Sequence, residues 1–393
     1  MAKLGDICSI KSGFAFKSEY FSTTGVPVIR ISNITTNGVD VDYSVCYDDA
    51  FWIKNPNYRV GKGDILVAMS GATVGKSCIN NLDVPLLLNQ RVASITCDCD
   101  VTQKYVYHII NSDFFLKYII QNSEGCAQPN ISVKQLANFR LSIPDAPLRR
   151  QIVSTLDELD SIVNARKQQL SKLDELVKSR FIEMFGDPVT NPFGWRKLTV
   201  QQAIGEKIID KPLDGNHGGK HPKTSDYVPS GIPFIMANNL VAGKVDLENC
   251  AFISRKQADS LDKGFAKDGD VLITHKGTIG RTAILHCSYP YIMLTPQVTY
   301  YRPKIGIIPE YLKAYFDTDY FQGIIGNIAS VGSTRAYIGI TAQQELPLIV
   351  PPMEVQEQYA TFVEQIDKSK FEIQKSLEKL ETLKKALMQK YFG

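Results

Sequence analysis

The chain has 393 residues, of which 44% are hydrophobic and 22% are charged. This ordinary globular composition excludes a disordered, collagen-like or membrane-embedded protein. At about 150 residues per domain, the length predicts two or three domains, each large enough to bury its own core. The formal net charge is only +3, which excludes a polybasic protein that coats nucleic acid but leaves sequence-specific binding open.

The N-terminal residues 1–13 lack the apolar run of a signal peptide, and the sequence has no stretch of 18 consecutive apolar residues. The cysteines are scattered, and the closest pair, Cys97 and Cys99, has no second pair to complete a zinc site. His217 and His221 are separated by glycines, which disfavour a helical metal-binding pair. We therefore expect a cytoplasmic protein with reduced thiols, no membrane span and no metal site.

An internal repeat is the strongest feature of the sequence. Residues 25–34 (GVPVIRISNI) recur as residues 231–240 (GIPFIMANNL), so that positions 25 and 231 lie 206 residues apart. Residues 63–67 (GDILV) recur as 269–273 (GDVLI) at the same spacing, and residues 185–186 (FG) recur as 392–393. This steady spacing predicts a tandem duplication of one large unit rather than a solenoid of short repeats.

Each unit has the same predicted order of elements. Short β-like runs, such as 26–34, 65–69 and 92–96, are separated by Gly, Pro and Asn. A helical stretch follows, at residues 101–121 in the first unit and 309–325 in the second, and then a glycine-containing loop and a last strand that ends at proline. We expect a mixed α/β domain with a mostly antiparallel or irregular sheet.

Each unit closes with a long predicted helix whose apolar residues alternate at spacings of four and three, as in a heptad seam. The first seam is Ile152, Leu156, Leu159, Val163, Leu170, Leu173, Val177, Phe181 and Met184, and the second is Tyr359, Val363, Ile366, Ile373, Leu377, Leu380 and Leu387. Each helix could simply cover its own domain. We favour an antiparallel coiled coil, since a whole domain separates the helices along the chain, and helices of about 35 residues would be about 50 Å long.

These patterns predict four segments: a globular domain at 1–147, a spacer helix at 148–186, a second globular domain at 187–352 and a second spacer helix at 353–393. The two globular segments each carry a small formal positive excess, whereas the helices are nearly neutral. Two similar domains on a rigid spacer are suited to reading two DNA half-sites, which lie about 34 Å apart when they are separated by one helical turn.

Residues 70–77 (SGATVGKS) resemble a phosphate-binding P-loop, but Ser70 replaces the first glycine. The second copy, residues 275–282 (HKGTIGRT), is one residue shorter and has Arg281 in place of the lysine. We interpret both as glycine-rich turns whose backbone amides and basic residue face an anion such as a DNA phosphate.

Residues 191–194 (NPFG) are similar to an adenine-methyltransferase motif but lack its second proline. We expect a non-catalytic chain. The alternatives are a nucleotide hydrolase that uses the glycine turn, a single-chain methyltransferase and a coiled-coil adaptor that does not bind DNA.

Essentially the entire chain resembles the DNA-specificity subunit of a type I restriction-modification system. The resemblance is strongest at residues 63–75 and their second copy, and at residues 184–195 at the domain junction. Residues 214–222 (DGNHGGKHP) are similar to the family's Asp-Gly-Thr-His…Pro loop, with Asn216 in place of Thr and a Gly-Gly-Lys insertion.

The resemblance implies that each globular unit is a target recognition domain that reads one half of a bipartite, asymmetric sequence in double-stranded DNA, and that the coiled coil sets the gap. It also implies that the helices dock two methyltransferase subunits and that motor-nuclease restriction subunits complete the complex. S-adenosylmethionine and ATP would bind only to those partners, so this chain would hold no cofactor and no active site.

Polar residues at strand ends and glycine turns are our candidates for DNA contacts, because Lys and Arg bind phosphates and polar side chains read base edges. In the first unit they are Arg30, Asn33, Ser70, Thr73, Lys76, Gln90, Arg91 and Asn130. In the second unit they are His217, Lys220, His221, Asn238, Asn239, His275, Lys276, Arg281, Gln297, Ser333, Thr334 and Arg335.

Overall fold

The computed structural model describes residues 1–123, 129–330 and 336–393. The chain forms two compact units: unit 1 consists of residues 1–167 and 374–393, and unit 2 of residues 168–373. The unit boundaries divide two long helices, Ala146–Phe185 and Met353–Phe392, so that each unit contains part of both.

Unit 1 begins with short strands, as the sequence predicts, and the helices follow. Its elements are β1 (Ala2–Lys3), α1 (Leu4–Ile7), β2 (Cys8–Ser12), β3 (Val26–Ile29), β4 (Ile34–Thr35), β5 (Gly38–Val39), β6 (Cys46–Tyr47), α2 (Asp49–Lys54), β7 (Ile65–Ala68), β8 (Ser77–Ile79), β9 (Leu87–Leu88), β10 (Val92–Cys97), α3 (Asp100–Ile110), α4 (Asp113–Ser123), α5 (Val133–Asn138), β11 (Arg140–Leu141) and α6 (Ala146–Phe185).

The main sheet of unit 1 has the antiparallel order β2-β10-β7-β8, and a smaller sheet has the order β6-β3-β9, in which β3 and β9 are parallel. Helices α3, α4 and α5 and the start of α6 cover the main sheet with apolar residues such as Ile109, Phe115 and Leu156. The predicted helical stretch 101–121 is divided in two, because Ser112 Oγ accepts a hydrogen bond from the Phe115 amide and starts a new helix.

Unit 2 repeats this order of elements. They are β12 (Arg196–Thr199), α7 (Val200–Gly205), β13 (Leu213–Asp214), β14 (Tyr227–Val228), β15 (Ile232–Ile235), β16 (Leu240–Val241), β17 (Lys244–Val245), β18 (Ala251–Ile253), α8 (Arg255–Asp259), β19 (Phe265–Ala266), β20 (Val271–Lys276), β21 (Thr278–Ile284), β22 (Ile292–Leu294), β23 (Val298–Tyr301), α9 (Pro309–Phe316), α10 (Asp319–Ser330), α11 (Ile340–Gln344), β24 (Pro347–Val350) and α12 (Met353–Phe392).

The two larger sheets of unit 2 have the orders β13-β23-β20-β21-β17-β16 and β14-β18-β15-β22-β19. Most pairs are antiparallel, and β15–β22 and β17–β21 are parallel. The prediction of a mixed α/β fold with a mostly antiparallel sheet is therefore confirmed. Among the described helices, none is long and apolar enough to cross a membrane.

The long helices have matching aromatic anchors in the two units. In unit 1 the Phe392 ring packs 5.5 Å from the Tyr105 ring, and in unit 2 the Phe185 ring packs 4.7 Å from the Tyr311 ring. The apolar positions predicted along both helices are all buried or half-buried. The repeated Phe-Gly at the end of each helix therefore marks the residue that joins the helix to a domain core.

Candidate nucleic-acid interface

Several loops of unit 1 meet where β2, β3 and β7 end and β10 begins. The Met69 amide donates to the Arg91 carbonyl at 2.9 Å, and the Gln90 amide donates to the Phe14 carbonyl at 2.9 Å. The Gly71 amide donates to the Pro129 carbonyl at 3.0 Å. We call the loops 13–16, 30–33, 69–76, 89–91 and 129–130 surface 1.

The equivalent loops of unit 2 meet in the same way. The His275 amide donates to the Gln297 carbonyl at 2.9 Å, and the Gly277 amide donates to the Ala336 carbonyl at 3.0 Å. The Gly215 amide donates to the Thr295 carbonyl at 3.3 Å. We call the loops 214–221, 236–239, 275–280, 295–297 and 336–338 surface 2.

Most of the predicted contact residues lie on these surfaces with accessible side chains. The exposed ones are Thr73, Lys76, Gln90, Arg91, Asn130, His217, Lys220, Asn238 and Gln297, and the half-buried ones are Arg30, Ser70, His221 and Lys276. Ser333, Thr334 and Arg335 lie outside the described residues. Some of the accessible residues already have partners: Arg30 pairs with Asp42 at 2.9 Å and Lys220 with Asp262 at 2.5 Å.

Asn33 and Asn239 do not have the position expected of a DNA contact, because both are buried. Asn33 Oδ1 accepts from the Arg30 amide and its Nδ2 donates to the Asp40 carbonyl. Asn239 Oδ1 accepts from the Met236 amide in the same way. These side chains form the turn after β3 and after β15, so their role is structural.

Arg281 is exposed and directly follows residue 280 of surface 2 on β21. It also lines an open groove of about 1780 Å³ in unit 2, together with Gly280 and residues of the long helices such as Glu357 and Glu364. It therefore lies at the border between surface 2 and this groove, and its contact with DNA stays a prediction.

Most backbone amides of the glycine turn in unit 1 have partners within the chain. The amides of Gly71, Val74, Gly75 and Lys76 donate to carbonyl groups. In unit 2 the corresponding residues form the tight hairpin between β20 and β21, where the Gly277 amide donates to the Ala336 carbonyl. The expectation that backbone amides of the turns face an anion is therefore wrong for these amides.

Asn191 has no free amide for methyltransferase chemistry. Its Oδ1 accepts from the Trp195 amide at 3.0 Å and its Nδ2 donates to the Trp195 carbonyl at 2.8 Å. Trp195 Nε1 in turn donates to the Phe185 carbonyl at the end of α6. Residues 191–195 thus close the end of a helix. Among the described residues, no group of three or more His, Cys, Asp or Glu could hold a metal ion.

The sequence analysis did not predict a buried carboxylate in surface 2. Asp214 is 1% exposed, and its oxygens accept hydrogen bonds from His217 Nε2 at 2.6 Å and from Lys263 Nζ. Burial opposes ionisation of Asp214, but the hydrogen bonds from Lys263 and His217 outweigh it, and the pKa of the carboxyl group lies below its ordinary value. Asp214 is therefore ionised at neutral pH.

His275 is the fourth side chain of this cluster. It is only 2% exposed, so the prediction that it contacts DNA directly is wrong. Its Nδ1 lies 2.9 Å from the Ile338 carbonyl, while its Nε2 lies 3.8 Å from Asp214 and has no hydrogen-bond partner. Burial lowers the pKa of His275, so the ring is neutral at neutral pH. We call Asp214, His217, Lys263 and His275 the polar cluster.

Surface 1 has rings where surface 2 has this polar cluster. The Phe14 ring lies 5.0 Å from Phe51 and 5.4 Å from Tyr58, and the Phe16 ring lies 4.8 Å from Tyr47. The guanidinium of Arg59 lies 4.0 Å above the Trp52 ring. These aromatic rings give surface 1 apolar area, and Arg59 gives it a cation, in place of the carboxylate and imidazole groups of surface 2.

The chain thus consists of two duplicated α/β units, each with a polar loop surface at one end of its sheets. A family model described as the type I restriction modification DNA specificity domain matches residues 1–174 and 213–385. Since these matches cover more than half of the chain, the protein belongs to the type I restriction-modification DNA-specificity family.

Similar proteins agree with this assignment. The type I restriction enzyme EcoBI specificity subunit of Escherichia coli is 23% identical over 99% of this chain and 84% of its own length. The MjaVIII specificity subunit of Methanocaldococcus jannaschii is 20% identical over 86% of this chain and 80% of its own length.

Two solved structures share the fold. The S subunit of a type I restriction-modification system from M. genitalium has a TM-score of 0.59 at 13% identity and covers 100% of this chain and 95% of its own. A chain from a structure of type I R-M complex assembly has a TM-score of 0.56 at 18% identity and covers 99% and 96%.

Proposed function

We propose that this chain recognises a bipartite, asymmetric DNA target, with surface 1 reading one half-site and surface 2 the other. The observation that carries the proposal is that the same backbone frame occurs twice in the chain. This frame is the set of hydrogen-bonded loops described for surfaces 1 and 2, and the side chains on its loops differ between the two units. The Met69 amide donates to the Arg91 carbonyl in unit 1, and the His275 amide donates to the Gln297 carbonyl in unit 2, so Arg91 and Gln297 have the same place in the frame but different side chains. Two different surfaces favour two different half-sites, since base edges are read by side chains.

The long helices act in this proposal as an antiparallel coiled-coil spacer. Within unit 1, Asp160 pairs with Lys384 and Lys167 with Glu381 at 2.9 Å, so the numbering rises along one helix as it falls along the other. Within unit 2, Asp174 pairs with Lys370 at 2.6 Å and the Phe181 ring packs 5.7 Å from Tyr359. These contacts support pairing along the heptad seam and a fixed gap between the half-sites.

In the proposed complex this chain is non-catalytic and holds no cofactor. Two methyltransferase subunits dock on it, bring S-adenosylmethionine and methylate the target, and motor-nuclease subunits that use ATP complete the restriction complex. The family membership supports this division of labour. Two observations support a non-catalytic role: Asn191 forms a helix-closing turn, and most amides of the glycine turn in unit 1 donate to carbonyl groups within the chain.

Methylome sequencing tests the proposal. Cells that carry this chain and its cognate methyltransferase subunits should gain methylation at one asymmetric sequence interrupted by a fixed, unspecified gap. A continuous methylated site, or methylation that does not depend on this chain, would contradict the proposal. Cells with the methyltransferase subunits alone are the control.

The spacer role has its own test. Deleting one heptad from both α6 and α12 removes about 10 Å of helix from each at 1.5 Å per residue. We expect the tolerated gap between the half-sites to shorten while the bases of each half-site remain the same. An unchanged gap would exclude the spacer role.

A further inference from the structure

The polar cluster of surface 2 fixes which ring nitrogen of His217 carries the proton. Asp214 is 1% exposed and His217 is 46% exposed, and they meet through Nε2 and Oδ2 at 2.6 Å. An ionised carboxylate only accepts hydrogen bonds, so the proton of the neutral imidazole lies on Nε2. The nitrogen left for a ligand is Nδ1, which then offers a lone pair as a hydrogen-bond acceptor.

We propose that Asp214 is a positioning residue that holds His217 in this tautomer, so that His217 Nδ1 accepts a hydrogen bond from the exocyclic amine of adenine or cytosine in the half-site of unit 2. These amines are the base-edge donors of the major groove. A phosphate offers only acceptors and cannot satisfy this nitrogen. The inference rests on the proposed function and names one of its specificity determinants.

The neighbouring groups keep Asp214 available for this role. Lys263 binds the other carboxylate oxygen and holds it ionised. His275, which approaches from β20, is neutral and lies 3.8 Å from Asp214, too far to compete for the hydrogen bond. The remaining charged or titratable groups near His217 are His221 and Lys220 on its own loop, Asp262 paired with Lys220, and Lys276 on β20.

The proposed base contact has a distinct signature. It affects discrimination at one position of one half-site, whereas a side chain with only a structural role would affect all positions alike.

The test uses the full chain assembled with its methyltransferase subunits. The probes are synthetic duplexes that carry the target defined by the methylome, with all four bases at each position of the half-site of unit 2. We expect His217→Ala to lower the discrimination at one adenine or cytosine about 10-fold and to leave the half-site of unit 1 unchanged. The matched control is His286→Ala, since His286 is 71% exposed and also lies near an aspartate, Asp268, outside surface 2.

Asp214→Asn gives the sharper result. Lys263 should hold the new amide oxygen, which leaves the amide nitrogen to donate to His217 Nε2, so the ring proton moves to Nδ1. The preference at that same position should shift toward guanine or thymine, whose base edges offer acceptors.

An unchanged base preference in His217→Ala, or a uniform loss over both half-sites, would overturn the inference. If Asp214→Asn does not fold, the position-specific effect of His217→Ala decides. Absence of any sequence preference in the wild type would instead refute the proposed function, so the two failures are distinguishable.

Discussion

Surfaces 1 and 2 share the same backbone frame but differ in the side chains that pack within it. At Gly13 an added Cβ would lie 1.7 Å from the Leu88 carbonyl oxygen, and at Gly215 it would lie 1.9 Å from the Leu294 carbonyl oxygen. Directly after these glycines, unit 1 has Phe14 in a cluster of rings, whereas unit 2 has Asn216, whose side-chain amide donates to the Lys263 carbonyl at 2.7 Å.

The comparison teaches that the close approach of two backbones, rather than the chemistry of the loop, is what the duplication retains. Apolar packing stabilises the loop of unit 1 and a hydrogen-bonded ionic cluster stabilises that of unit 2. A frame of this kind allows each unit to change the side chains on its surface without losing its fold.

The frame itself should be most sensitive to the two glycines. Replacing either by alanine (Gly13→Ala or Gly215→Ala) forces a Cβ against backbone that cannot yield, and we expect each change to lower the free energy of unfolding by about 5 kcal/mol. Denaturant unfolding measures this loss. Gly219→Ala is the control, because a Cβ there meets no heavy atom within 4 Å; equal effects at Gly215 and Gly219 would contradict the shared frame.

The contribution of each aromatic anchor of the long helices to the free energy of unfolding should increase with the number of rings it contacts. Phe185 packs against Phe181, Tyr311 and Tyr359, whereas Phe392 packs against Tyr105 and Tyr391. We expect Phe185→Ala to cost about 4 kcal/mol and Phe392→Ala about 3 kcal/mol in unfolding free energy. Comparing the two denaturation midpoints checks the order, and a negligible cost for either would show that the anchor does not hold its helix.

Truncation of a side chain should lower the free energy of unfolding more in the ring cluster of unit 1 than in the polar cluster of unit 2. Phe51 contacts Phe14, Phe16, Tyr47 and Tyr58, so Phe51→Ala should cost about 2 kcal/mol of unfolding free energy because it opens a cavity in a half-buried cluster. His217→Ala in surface 2 should cost about 1 kcal/mol, because it removes one hydrogen bond to the buried Asp214 while Lys263 stays paired with that carboxylate. The same denaturant titration tests both, and equal losses would contradict the contrast.

The smallest expected effect is a pH dependence in unit 2. Burial lowers the folded-state pKa of His275, so the unfolded chain binds a proton more readily than the folded one. The contribution to stability is therefore complete above the unfolded pKa of about 6.5 and is lost as the pH falls through the folded pKa. His275→Gln should flatten the decline in the thermal midpoint below pH 6.5, and an identical decline in both proteins would contradict this assignment.

The repeat and the heptad pattern made the two-unit organisation, the mixed fold and the long helices predictable, because these features repeat at fixed spacing. The pairing of Asp214 with Lys263 was not predictable, since folding brings together residues 49 positions apart. Asn33 and Asn239 were mistaken for contacts, although their identity in both copies was a usable signal. A residue that is the same in two readers of different half-sites serves the common frame.

The most direct measurement of the central claim is the methylome of cells that carry a chain with residues 187–352 replaced by a second copy of residues 1–147, together with the cognate methyltransferase subunits. If each unit reads one half-site and the helices are antiparallel, the methylated sequence should become two inverted copies of the first half-site with the gap retained. Methylation that stays at the original asymmetric sequence would contradict the account.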